Sequence, residues 1–247
     1  MKILVSGLCG FMGKEVAALA SEGYRGAQLA AGVDPLADGS QAVPCAKNFA
    51  QASTDVDCIV DFSHHSCTED LLAFAVANKL PLVLATTGQT EEEKAAIVQA
   101  AKEIPLFFAA NYSLGVALLI ELAVQTAKAM PEAEIEIIEQ HHDRKIDAPS
   151  GTALAIAEAI GQVRNAPVVS GRNGHGKRTA QEIGIHSVRM GNIVGIHEVM
   201  VGTKNQTITL KHEAHSRALF AEGALAAAAF LCGTPAGLYD MKSMIGE

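Results

Sequence analysis

Five short apolar runs constrain this chain more than any other feature: Lys2–Ser6, Gln28–Val33, Asp57–Phe62, Leu82–Ala85 and Leu106–Ala109. Asp57–Phe62 (DCIVDF) shows the pattern, unbroken rather than alternating, which marks a strand covered on both faces. Helical spacing fills the gaps. Phe11–Glu22 puts Val16, Leu19 and Ala20 on one side, and Cys67–Asn78 does the same with Leu71, Leu72, Ala75 and Val76. Thr90–Lys102 opens on three glutamates, favourable at the positive end of a helix dipole. Buried strands alternating with helices over short links predict an α/β fold with a doubly wound parallel sheet.

The first strand ends in Gly7-Leu8-Cys9-Gly10-Phe11-Met12-Gly13, directly before the first helix. Glycines here permit a tight turn and let a pyrophosphate approach the backbone at a helix N-terminus. The spacing G-x-x-G-x-x-G departs from the usual G-x-G-x-x-G, so the strand–turn–helix context gives it its weight; a structural turn is the alternative. Asp34 closes the second strand about 20 positions on, where an acid accepts from adenosine ribose hydroxyls. It also repels a 2′-phosphate, and Pro35 follows rather than Arg or Lys, so NADH is expected to be preferred, with NADPH possible. The alternative is a turn-forming Asp before Pro. Asp61-Phe62-Ser63, Ala85-Thr86-Thr87-Gly88 and Ala109-Ala110-Asn111-Tyr112-Ser113-Leu114-Gly115 begin at the carboxyl ends of three further strands, the ligand edge of such a sheet. Their small hydroxyl and amide groups suit ribose and carboxamide contacts, although each alone reads as an ordinary cap.

Beyond the helix Leu114–Met130 the pattern changes. Ala133–Gln140 alternates Glu134, Ile135, Glu136 and Ile137, a half-exposed strand. A helix over Thr152–Val163 follows, then alternating segments at Ile183–Arg189, Ile193–Val201 and Gln206–His212, with turns at Gly191-Asn192 and Lys204-Asn205. Gly171–Lys177 reads as a flexible polar loop over the site, and Ser216–Leu231 as a long Ala-rich helix. The expected organisation is a Rossmann-type dinucleotide-binding domain (1–112 and 217–247) plus a smaller α+β substrate-binding and oligomerisation domain (113–216) with an open mixed sheet. Hinges are expected near Asn111–Gly115 and Ala214–Arg217.

Between those domain signals lies the densest chemistry in the chain, Glu139-Gln-His-His-Asp-Arg-Lys-Ile-Asp-Ala-Pro-Ser-Gly-Thr152. His141 or His142 can shuttle a proton near neutrality. Lys145 can pair with a carboxylate and give a proton to a developing anion, and Arg144 can do similar electrostatic work. Ser150, Gly151 and Thr152 offer N–H groups and hydroxyls at a helix start, a natural carboxylate site. A solvated basic loop is the alternative. Zinc is not expected, because adjacent histidines on a strand point to opposite faces and no third ligand is evident. His64 and His65 read as exposed, and His175, His186, His197 and His212 as structural or surface residues. Arg217 touches substrate or clamps the domain junction.

Composition excludes other classes. A net charge of -8 argues against nucleic acid or an anionic membrane, and the absence of Trp, with only 3 Tyr and 8 Phe, against a base-stacking platform. Five scattered cysteines without a C-x-x-C pair read as free thiols of a reducing cytoplasm. Lys2 with the apolar residues after it mimics a signal peptide, but glycines and charges interrupt the run.

Taken in order, Gly7–Gly13, Ala85–Gly88, Ala109–Gly115, Glu139–Ala153, Ser187–His197 and His215-Ser216-Arg217 resemble the 4-hydroxy-tetrahydrodipicolinate (dihydrodipicolinate) reductase family over essentially the whole chain. The resemblance implies NAD(P)H-dependent reduction in the diaminopimelate route to lysine, by a homotetramer. It implies His141 as acid/base, Lys145 as proton donor, and His142, Lys145, Ser150, Gly151 and Thr152 as holders of the substrate carboxylates. The cofactor set is Gly7, Gly10, Phe11, Met12, Gly13, Asp34, Phe62, Ala85, Thr86, Thr87, Gly88, Ala109, Ala110, Asn111 and Arg217. Cys9, Phe11 and Pro35 stand where some members carry bases used on NADPH, and Ala85 replaces a glycine. The rival readings are an aspartate- or homoserine-type dehydrogenase and an NADH-sensing regulator.

Overall fold

The computed structural model describes residues 1–246. The chain divides into two compact units, Met1–Ser113 together with the chain from Ala218 onward, and Leu114–Arg217. In chain order the first unit opens with β1 (Lys2–Ser6), α1 (Phe11–Ser21), β2 (Gln28–Val33), β3 (Cys45–Ala46), β4 (Cys58–Asp61), α2 (Thr68–Ala77), β5 (Leu82–Leu84), α3 (Glu91–Ala100) and β6 (Pro105–Phe108). The second unit holds α4 (Leu114–Ala129), β7 (Glu134–His141), α5 (Gly151–Arg164), β8 (Val168–Ser170), β9 (Ile183–Arg189), β10 (Gly195–Gly202) and β11 (Thr207–Ala214). The first unit is completed by α6 (Ala218–Leu231), β12 (Gly237–Tyr239) and α7 (Met241–Ile245).

All seven strands of the first unit are parallel, in the order β12-β6-β5-β4-β1-β2-β3. The order reverses between β1 and β4, the switch point where a doubly wound sheet opens a crevice at its carboxyl edge. Leu4, Ile59, Leu82, Leu84 and Leu106 bury one face with Leu71, Leu72 and Ala75 of α2 and Ile97 of α3. The Ala-rich α6 packs on β4, β5, β6 and α1, its small side chains allowing close approach. Thr90 and Glu93 cap α3 reciprocally, as its leading glutamates suggest.

In the second unit the order is β11-β10-β7-β9-β8. β7 pairs antiparallel with β10 and parallel with β9, so the sheet is mixed. Helices α4 and α5 pack against each other, and Leu119, Ala123, Ile156 and Ile160 join Ile135, Ile137, Ile183, Ile185, Val199 and Val201 in one core.

Three findings refine the sequence reading. The strands β3, β8 and β12 are only two or three residues long, too short for a periodic signal. The Lys204-Asn205 turn joins neighbours β10 and β11, but the Gly191-Asn192 segment is no hairpin, because β9 and β10 flank β7 on opposite sides. It crosses the end of β7, bonding His142 N to Ile193 O and Met190 N to His141 O. The loop after β8 is fastened at the opposite end of β7 from His141 and His142. Arg172 bridges Glu136 and Glu182, and Arg178 donates to the Ile135 and Glu182 carbonyls, near the start of β7.

Candidate active site

One face of the second unit's sheet changes character along its strands. Residues two apart share a face. Inward positions therefore run Ile135, Ile137, Glu139, His141 on β7 and Ile183, Ile185, Ser187, Arg189 on β9, with Val201, Val199, His197, Gly195 on β10. The apolar end lies under the helices; the other end gathers acid, base and guanidinium.

Glu139 is the centre of that polar end and is wholly buried. Its Oε1 accepts from Arg189 Nη2 at 2.7 Å and Ser150 N at 3.1 Å. Its Oε2 accepts from Arg189 Nη1 at 2.9 Å and lies 2.6 Å from His141 Nδ1. Burial alone would raise the carboxyl pKa, but hydrogen bonds from Arg189, Ser187 and His141 and the Arg189 charge outweigh it, bringing the pKa down to about 2. Burial holds His141 below its ordinary value, with Glu139 opposing and Lys145 and Arg189 reinforcing the shift.

His197, read from sequence as structural or surface, is buried in this cluster. Its ring centroid is 5.2 Å from that of His141, and its Nε2 lies 3.1 Å from Ser150 Oγ. Burial, then the neighbouring His141, pushes its pKa down to about 4, so it is neutral at physiological pH. Its signal was parity: it shares the inward register of Val199 and Val201.

Lys145 and Asp147 form an ion pair at 2.7 Å in the loop after β7. Arg189 also donates to the Asp147 carbonyl at 2.6 Å, tying that loop to Glu139. His142 is half-buried, with Nδ1 unpartnered. Arg144 instead faces Asn192 and Asp143. Ser150 caps α5 through Ala153 N, and its own N–H is held by Glu139. The carboxylate-site reading therefore narrows toward Gly151, which is exposed, and Thr152, which is half-buried.

In the first unit Gly7 has φ +80°, and a Cβ there would come within 2.5 Å of Phe62 O. A Cβ on Gly13 would strike the Gly7 carbonyl, so turn and helix touch through backbone alone. Gly10 is the N-cap of α1 and makes no side-chain cap, while Phe11 is exposed and Met12 half-buried. Asp34 is buried and takes Cys9 N and Leu36 N on its two oxygens, both at 2.9 Å. The turn-forming role is thus real, and lone pairs remain for a ribose. A cleft of about 410 Å³ beside it is lined by Leu8, Cys9, Lys14, Leu36, Asp38 and Gln41.

At the switch point Asp61 accepts from Ser63 Oγ and Thr86 Oγ1, both at 2.6 Å. Burial raises its pKa, and the hydroxyls of Ser63, Thr86 and Ser6 hold it back. The Thr86 hydroxyl is therefore committed inward; Ala85 is buried with it, while Thr87 and Gly88 are exposed. Phe62, Ala109 and Asn111 are half-buried and Ala110 is exposed. His64 is exposed as expected, but His65 is half-buried against Glu93 at 3.1 Å. Arg217 is exposed and is the last residue of the second unit.

A Rossmann-type unit joined to a unit with a mixed sheet and a His–Glu–Arg–Lys cluster defines a two-unit nicotinamide-dependent oxidoreductase. Family models agree: "Dihydrodipicolinate reductase, N-terminus" matches residues 1–112 and "Dihydrodipicolinate reductase, C-terminus" matches 115–245. The chain belongs to the dihydrodipicolinate reductase family and carries out that family's reduction step in the diaminopimelate route to lysine. It is 43% identical to the 4-hydroxy-tetrahydrodipicolinate reductase of Caldanaerobacter subterraneus subsp. tengcongensis, covering 99% of this chain and 98% of that protein. The Clostridium tetani enzyme of the same name is 40% identical, covering 100% of this chain and 98% of its own. The dipicolinate-bound dihydrodipicolinate reductase from Paenisporosarcina sp. TG-14 superposes with a TM-score of 0.81 at 25% identity, covering 97% of both chains. Aspartate dehydrogenase from Thermotoga maritima, a TM-score of 0.51 at 15% identity over 92% of this chain and 94% of that one, shares the fold alone. Among the described residues no helix is long and apolar enough to cross a membrane.

Proposed function

We propose that this reductase converts 4-hydroxy-tetrahydrodipicolinate, via dihydrodipicolinate, to tetrahydrodipicolinate with NADH preferred over NADPH, and with Lys145 or His141 supplying the proton. The observation that carries the residue assignment is the Glu139-anchored His141 in the same cluster as Lys145, beside the start of α5. A bound nicotinamide dinucleotide supplies a hydride from its C4 carbon to the conjugated ring of the substrate. The first unit fits such a group: Gly7 and Gly13 let the turn and the start of α1 pack backbone to backbone, Gly10 caps the α1 N-terminus without a side chain where a pyrophosphate would approach, and Asp34 is bonded to Cys9 and Leu36, which line the adjacent cleft. Asp38 in the lining of that cleft and Asp34 bonded to its lining residues Cys9 and Leu36, with Lys14 the one cation of the lining, support the preference for NADH.

Hydride addition leaves negative charge on the substrate, which a proton must quench. Lys145 is suited to give it, because among the described residues its ammonium pairs with the half-exposed Asp147, a partner a substrate carboxylate can replace at little cost. Burial favours neutral His141 at rest, which suits it to relay or restore a proton rather than lead. The α5 start and His142 would hold the carboxylates and orient the ring. We further propose a homotetramer formed through the second unit's outer sheet face, where half-buried Ile138, Ile196 and Met200 alternate with charges. A cytoplasmic setting suits its free cysteines.

The test is steady-state oxidation of NADH and NADPH in parallel, with substrate made in situ from pyruvate and aspartate semialdehyde. Lys145→Ala is expected to lower kcat by roughly 10²-fold or more and to weaken substrate binding with it. Normal turnover in that variant removes Lys145 from the mechanism, and an NADPH efficiency above that for NADH overturns the cofactor preference. Dipicolinate is expected to compete with the substrate.

A further inference from the structure

A buried carboxylate needs donors on its acceptor directions, and four close contacts to Glu139 define which atom gives a hydrogen to which oxygen. Three donors are unambiguous: the Ser150 backbone N–H and two guanidinium N–H groups of Arg189. The fourth contact, at 2.6 Å, is His141 Nδ1. An ionised carboxylate only accepts, so Nδ1 must carry a hydrogen. In the neutral ring Nε2 then bears the lone pair. The surroundings of Nε2 agree: a Cβ on Gly195 would stand 3.1 Å from it, so glycine at this point of β10 keeps the space beside that nitrogen clear. From these contacts we propose that Glu139 is the positioning residue of the reaction, fixing His141 with Nδ1 as donor so that protons pass through Nε2, with Arg189 preventing Glu139 from taking the proton itself. This rests on the reading of His141 as acid/base.

The division of labour is electrostatic. A free carboxylate near an imidazole competes for its proton. Clamping by Arg189 through two nitrogens makes protonation of Glu139 unfavourable, consistent with a carboxyl pKa of about 2. Glu139 therefore stabilises an imidazolium at His141 without becoming the acid. The charged or titratable groups facing His141 are Glu139 on its own strand, Arg189 on β9, His197 on β10 and Lys145 on the following loop. Glu139 is the sole anion among these four, so its removal has a defined sign: the His141 pKa must fall.

Two measurements test this. The first is the ¹⁵N spectrum of the histidine rings in the wild-type protein, with the His141 signal assigned from its loss in His141→Gln. The expected neutral form carries its hydrogen on Nδ1, the minor tautomer of free imidazole side chains; an Nε2–H form overturns the proposal without touching the reading of the reaction. The second is the pH profile of Glu139→Gln and Glu139→Asp. In Glu139→Gln kcat is expected to fall by roughly 10²-fold, the acid limb to move to lower pH, and KM for the dicarboxylate to change far less than kcat. Glu139→Asp is expected to recover part of the rate and to return the limb toward its wild-type position. An unshifted limb with wild-type kcat in Glu139→Gln overturns the positioning role. Should Glu139→Gln fail to fold, the wild-type spectrum and Arg189→Lys decide: Arg189→Lys is expected to keep the Nδ1–H form with a shifted limb, and an Nε2–H form counts against the proposal. Full turnover in His141→Gln, with the Nδ1–H tautomer intact, would instead remove the acid/base assignment on which this builds.

Discussion

Among the described residues the most deeply buried carboxylate of each unit lies at or near the end of a strand, and the two are handled in opposite ways. Glu139, next to last in the inward row of β7, meets a guanidinium and is held as an anion. Asp61, ending β4, meets only Ser63, Thr86 and Ser6 hydroxyls and a backbone N–H, and burial pushes its pKa up. Hydrogen bonds from neutral groups suffice to seat a buried acid as a knot between three loops. A cation beside a buried acid favours its charged form, as Arg189 does for Glu139, and that charge in turn favours a protonated neighbouring imidazole. The difference separates a carboxylate that ties loops together from one that is poised against an imidazole.

That contrast can be broken most forcefully at Glu139. Glu139→Ala leaves the half-buried Arg189 without its main counter-charge, and a loss of about 2–4 kcal/mol is expected in urea unfolding followed by a probe in the second unit. A loss below about 1 kcal/mol would mean that solvent already reaches the pair.

Acid gives the next largest effect. His197 binds its proton less readily folded than unfolded, so stability is complete above its ordinary value of 6.5 and falls as pH drops toward about 4. Glu139 loses its contribution lower, between its ordinary 4.5 and about 2. Each step is on the order of 3 kcal/mol. Asp61 works against them, since its raised pKa makes acidification favourable to the fold. Denaturant midpoints measured from pH 7 downward are expected to fall first with the His197 step, and His197→Asn should flatten that limb. A midpoint rising on acidification in the wild type contradicts the assignment.

The smallest effect is expected at Asp61→Asn, which keeps the shape, removes a costly buried charge and loses part of one hydrogen bond. A change within about 1 kcal/mol follows. A loss as large as that of Glu139→Ala would erase the distinction between the two acids.

Much of this was legible in the sequence. β2 and β9 begin and end where their runs predict, because unbroken apolar stretches and strict alternation both leave clear edges. The glycine turn was legible because Gly7 and Gly13 occupy positions that a side chain would obstruct. The histidine–lysine segment stood out by its density of titratable groups. What escaped was the partner set of His141. Glu139 and His197 are scattered in the chain and meet only through strand register, yet parity carried a usable hint: each continues an inward row begun by Ile135 and Ile137 or by Val201 and Val199. Arg189 needed the pairing of β7 with β9, which no local pattern announces.

That β7 is the middle strand of its sheet also bears on how the protein comes into being. Its neighbours β9 and β10 lie about 50 residues or more further along the chain, so closing them onto β7 is a long-range, entropically slow event. A chain still emerging from synthesis carries Glu139 uncovered and uncharged-for until residues 183–202 arrive. The cluster of Glu139, Arg189 and His197 can therefore close only once those residues are available, and a nascent or truncated form lacking them leaves His141 without this set of partners.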